Sequence, residues 1–79
     1  MEKQLTFGEK LVGLHFNPAN DDKVSQAKRL FADAADLLEK EYRAHNMAGD
    51  PFADRLFNNA VGELLNAQMN VVKVLTLNK

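Results

Sequence analysis

Cysteine is missing altogether from this 79-residue chain, and histidine occurs only twice, at His15 and His45. The first absence excludes a disulfide framework and a thiolate metal site, and it points to a reducing, intracellular compartment. The second leaves too few imidazoles for a His-rich metal centre. Long apolar runs are lacking too. In "MEKQLTFGEKLVGLHF" charges interrupt each short apolar group, which suits neither a signal peptide nor a membrane span. There is no surplus of one charge, with ten Lys and Arg against eleven Asp and Glu, whereas proteins that grip nucleic-acid polymers usually carry a basic excess. Catalytic patterns are absent as well: no Ser, His and Asp order of a triad, no HExxH and no Gly-rich phosphate loop. Glu9, Glu39, Glu41 and Glu63 are scattered without a plausible acid–base pairing. The expectation is a protein that is not an enzyme and needs no metal or cofactor.

What is present reads as helix. A chain this short forms one domain, spanning residues 1–79, and buries only roughly 60–65% of the surface its unfolded form exposes. Asn17-Pro18 separates a first segment from a second, and Gly49 and Pro51 within "HNMAGDPFA" separate the second from a third. The expected fold is all-α: a short N-terminal helix at about 4–15 and an antiparallel hairpin of two long helices at about 18–45 and 51–76. In the second helix Val24, Ala27, Phe31, Ala34, Ala35, Leu38 and Tyr42 recur at three- and four-residue steps, with Asp33, Asp36, Lys40 and Arg43 largely off that stripe. In the third, Phe52, Leu56, Ala60, Leu64, Val71 and Leu75 form one row and Phe57, Val61, Leu65 and Val72 a second. Two rows are too wide for a single partner helix, so a homo-oligomer is expected to cover the remainder. The first segment offers Leu5, Leu11, Val12 and Leu14, but Gly8 and Gly13 each weaken it as a helix by about 1 kcal/mol against Ala.

The junction "VGLHFNPANDDKV" holds the residues that invite a ligand. Taken alone it is a cap: Asn17 suits the N-cap and Pro18 the first helical position, while Asn20 before Asp21 and Asp22 is a competing start. The two aspartates oppose a phosphate placed directly on that helix end, so an anion has to be met by side chains further on. Lys23, Ser25 and Lys28 follow within two turns, and Lys10, His15 and Phe16 come from the preceding segment. An ammonium beside an aromatic ring and a hydroxyl or amide can bind a nucleotide phosphate and stack a base. The competing structural reading makes Lys28 part of a solvated helix face and Phe16 a staple behind the cap.

Three runs in order, "LTFGEKLVGLHFNPAN", "KVSQAKRLFADAADLL" and "AQMNVVKVLT", resemble the phage anti-CBASS cyclic-oligonucleotide sponges, which share a helical hairpin domain with the anti-Thoeris sponges. The likeness spans Leu5 to Thr76, and its most specific parts are Gly-x-x-Phe-Asn-Pro and Ala-Gln-Met-x-x-Val-Lys. It implies an all-helical homo-oligomer, typically a hexamer, in the cytoplasm of the infected bacterial host. Such an assembly sequesters cyclic dinucleotides such as cyclic GMP-AMP, and cyclic trinucleotides, without degrading them, and so silences the immune effector. The partners implied include neither a nucleic-acid polymer nor a membrane.

The likeness puts Lys28 on a ligand phosphate. The ring that stacks a base falls to His15 or Phe16, with Phe7 more distant, and Asn17, Lys10, Lys23 and Ser25 complete the candidate set. The chain departs from the pattern in having no arginine between Leu56 and Gln68, Asn70 where a tryptophan is expected, and Ala19 where serine is common. A cyclic dinucleotide is roughly two-fold symmetric, so one lysine and one ring per protomer would suffice at a two-fold interface. The alternative is a structural or partner-binding helical protein with no nucleotide ligand.

Overall fold

The computed structural model describes residues 4–13 and 22–77. It is all-helical, with no strand among the described residues, and consists of α1 (Phe7–Val12), α2 (Asp22–Ala44) and α3 (Pro51–Leu75). Of the expected junction, residues 14–21, including the Asn17-Pro18 cap, lie outside the described residues.

α1 is shorter than the expected helix at about 4–15, and both of its ends have a local cause. Thr6 and Glu9 form a reciprocal capping box: Thr6 Oγ1 accepts from Glu9 N at 3.1 Å, and Thr6 N donates to Glu9 Oε1 at 2.9 Å. At the other end Gly13 takes a left-handed conformation, φ 61°, and its N–H turns back to Lys10 O at 3.3 Å. A residue with a Cβ is strained there, so the glycine ends the helix. Gly8 has a different reason. A Cβ built on it would overlap the backbone carbonyl of Ala32, so α1 crosses α2 with the two backbones in contact. The helix propensity lost at Gly8 is exchanged for that approach.

α2 therefore receives two neighbours. Toward α1 it turns Lys28, Arg29, Ala32 and Asp36, all of which touch α1 or its caps; toward α3 it turns Leu38 and Tyr42. Its buried residues are Val24, Ala27, Lys28, Ala32 and Ala35. The expected stripe included Ala34, which is exposed, and omitted Ala32, which is fully buried. One apolar stripe assumes one partner, and the docking of α1 rotates and widens the buried face.

The turn into α3 is set by local chemistry. Asp50 is the N-cap, accepting from Phe52 N at 3.0 Å and Ala53 N at 3.4 Å, and Pro51 occupies the first turn where its missing N–H is not needed. Asp54 accepts from Gly49 N at 3.2 Å and from the Tyr42 hydroxyl, which ties the turn to the end of α2. Tyr42 stacks on Phe57 with ring centroids 4.1 Å apart, and Phe57 meets Phe7 at 6.1 Å. One aromatic series thus joins all three helices.

α3 packs with Phe57, Val61, Leu64, Leu65, Val72 and Leu75 at least half covered and Gln68 buried, while Phe52, Leu56, Met69 and Val74 are exposed. The molecule is flat, with extents of 44 × 32 × 13 Å. Its radius of gyration of 14.1 Å exceeds the roughly 11.6 Å expected of a compact domain of this length. It is a single layer of helices.

Candidate functional site

Lys28 is where sequence and structure differ most. The competing structural reading places its side chain on a solvated helix face, and the resemblance places its ammonium on a phosphate. Instead the residue is 3% exposed, and Nζ donates to the carbonyl of Gly13 at 2.8 Å. Burial lowers the pKa of this ammonium from its ordinary value of 10.5, because taking the charge out of water disfavours the protonated form.

The placement follows from the direction of α1. Asp36, eight residues further along α2, accepts from Gly8 N at 2.6 Å and from Thr6 Oγ1 at 2.8 Å, at the N-terminal end of α1. Lys28 meets the carbonyl at the C-terminal end. Eight residues of helix span about 12 Å, close to the length of α1 with its caps. α2 thus carries an anion and a cation at the spacing that matches both ends of the α1 dipole. Arg29 adds a further tie between the helices, reaching Glu9 Oε2 at 2.8 Å and Asp33 Oδ1 at 3.0 Å. These acidic partners, the hydrogen bond to Glu9 first, raise its pKa further.

The other candidates distribute unevenly. Lys10 is exposed on α1, and Lys23 and Ser25 are exposed in the first turn of α2. Phe7 is half-buried against Phe57. It stands six residues, about 9 Å of helix, from the carbonyl that Lys28 holds. The structure assigns Phe7 to the aromatic packing between helices and does not bring it to the ammonium. His15, Phe16 and Asn17 lie outside the described residues. In sequence they follow Gly13, whose carbonyl Lys28 holds, within four positions.

Asp36 and Gln68 lie outside the candidate set that the sequence offers. Asp36 lay off the apolar stripe, and only the docking of α1 gives it partners. Gln68 is 4% exposed and belongs to the "AQMNVVK" run. The register that stacks Tyr42 on Phe57 folds α3 back along α2 and brings Gln68 to the same end of the hairpin as Lys28. A buried amide in an otherwise apolar row of α3 was the available signal.

Chemically, the junction offers the Lys28 ammonium, held on the Gly13 carbonyl, with exposed lysines and a serine hydroxyl nearby in sequence: the cations and the hydroxyl are donors of the kind that hold an anion. Among the described residues no group of three or more His, Asp or Glu side chains is placed to hold a metal ion. No described helix is long and apolar enough to cross a membrane. No protein-family model, curated protein or solved structure matches the chain.

Proposed function

We propose that this protein is a homo-oligomeric sponge, a hexamer by the resemblance, that binds cyclic dinucleotides such as cyclic GMP-AMP and holds them uncleaved; the arginine by which similar sponges take cyclic trinucleotides has no counterpart between Leu56 and Gln68. In the cytoplasm of an infected bacterium it would withhold the messenger from the CBASS effector. The observation that carries this reading is the position of Lys28. The lysine that the resemblance puts on the phosphate is anchored at the end of α1, in a water-poor setting, on the carbonyl of Gly13, which precedes His15, Phe16 and Asn17 in the chain. A phosphodiester oxygen is a charged acceptor, and a charge-assisted bond is about twice as strong as the neutral kind.

The test is thermal unfolding of the protein with a panel of cyclic dinucleotides and trinucleotides. A ligand at 100 times its dissociation constant adds about 2.7 kcal/mol of stability, a shift of several degrees in a chain of this size. Denaturing the complex and chromatographing the nucleotide should return the cyclic form. No shift with any of the panel sinks the proposal, and a linear product would show an active site.

A second reading, a structural or partner-binding helical protein, is favoured by the same lysine's bond to Gly13 O. As a cap for α1, Lys28 has a sufficient role without a ligand. The two readings separate on whether its replacement alters affinity or stability alone.

A further inference from the structure

The closed end of the hairpin carries a second feature, unrelated to the junction. A groove of about 510 Å³ opens there, lined by Leu38 and Tyr42 of α2, Met47 of the turn, and Phe52, Leu56 and Phe57 of α3. Its walls are almost wholly apolar, with the Tyr42 hydroxyl turned to Asp54 and Glu41 contributing the one carboxylate of the lining. Phe52 is 71% exposed and Leu56 53% exposed on its rim. Leu30 and Leu37, also exposed, stand two turns apart on α2 with Asp33 and Ala34 between them. Apolar residues scattered in that way are ordinary on a surface, whereas a concave apolar patch is not.

We infer that this groove is a two-fold docking surface for a second copy of this chain, with each protomer's Phe52 entering the groove of the other. Three observations select a second copy. The protomer exposes 6054 Å², about 1,300 Å² more than the roughly 4,800 Å² of a compact monomer of its mass. A standard interface covers about 800 Å² on each partner, so the excess accommodates one with area remaining. The chain is one helical layer, 13 Å across its thinnest direction, and a helical domain closes its core by adding a second layer. The groove and its exposed aromatic knob also lie on the same patch, which is the self-complementarity a two-fold contact requires. Glu41, in the lining and 3.0 Å from His45 Nε2, puts a carboxylate and an imidazole at the edge of the groove, as the polar rim of an interface does.

This inference deepens the homo-oligomer part of the proposed function and does not depend on the nucleotide. Light scattering at micromolar concentration, with circular dichroism to report folding, tests it on the parent and on Phe52→Asp. The expected result is an oligomeric parent and a variant with at most half the parent's mass and unchanged helical signal. If Phe52→Asp loses helix, Met47→Glu, placed in the turn outside both helices, replaces it with the same expected drop in mass. An oligomeric parent whose mass the variants leave unchanged overturns the docking surface while sparing the oligomer. A monomeric parent that takes up a fluorescent apolar probe overturns both and gives the groove to a small apolar ligand. Cyclic-nucleotide binding, measured separately, bears only on the sponge.

Discussion

The two ends of α2 solve opposite problems. Near Lys28 and Ala32 it is crossed by a six-residue helix that is far too short to be stable alone, and the contact is made of small residues and directional bonds. Gly8 lies against the Ala32 carbonyl, Asp36 holds the N-terminal end of α1, and Lys28 holds the C-terminal end. Near Tyr42 it meets α3 through stacked rings, and apolar surface is left over. A short helix has little area to bury, so geometry and charge must hold it; a long helix has area in excess, and some of it stays available to another molecule. The difference suggests where substitutions should be felt as lost specificity of docking and where as lost association.

Lys28→Ala is expected to have the largest effect. If a two-fold ligand meets this lysine twice, and each charge-assisted bond is worth about 1.5–3 kcal/mol, calorimetric titration should show binding weaker by about 3–6 kcal/mol, or two to four powers of ten. Because the ammonium also caps α1, the variant should lose about 1.5–3 kcal/mol of stability by urea unfolding. A loss of stability with affinity unchanged in the folded oligomer would remove Lys28 from the site and leave it as a cap.

A pair of glycine substitutions sharpens the contrast next. Gly8→Ala places a methyl group into the Ala32 backbone, so α1 has to shift, at an expected cost of about 1–3 kcal/mol. Gly62→Ala, in the middle of α3 with nothing within 4 Å of the new atom, should instead stabilise by about 1 kcal/mol through better helix propensity. Urea midpoints at one fixed protein concentration report both, and equal signs would contradict the account of the α1 crossing.

The smallest effect is expected at alkaline pH. The hydrogen bond to Asp54, then burial and the nearby carboxylates, raise the Tyr42 pKa above 10.0. A proton held more tightly in the folded state means that this stabilisation is complete below pH 10 and is lost as pH climbs through the folded value. Lys28 works in the other direction: its lowered pKa leaves its charge disfavoured by folding at neutral pH, and that penalty fades as pH rises toward 10.5. The difference between the parent and Tyr42→Phe isolates the tyrosine. The parent should lose stability above pH 10 relative to the variant, and parallel pH profiles would show that the Tyr42–Asp54 bond contributes nothing.

The helical architecture was legible in the residues because its signals are local. Gly49, Asp50 and Pro51 mark the turn between two helices and start the second whatever packs on them, and the three- and four-residue apolar spacing of α2 and α3 needs no partner to be recognised. The candidate site was less legible. That α1 runs antiparallel to α2 at a register matching Asp36 and Lys28 to its two ends is a fact about two segments at once. So is the use of Gly8: along the chain it only weakens a helix, and across the crossing it is the residue that permits contact. The exchange of Ala34 for Ala32 in the buried face, the burial of Lys28 and the assignment of Phe7 to the ring of Phe57 have the same origin. Residue type and spacing determined which segments are helical, since that depends on caps, breakers and periodicity within each segment. The tertiary structure decided which side of each helix is covered and which charge sits in a low-dielectric place, because burial depends on neighbours that the chain brings in from far away.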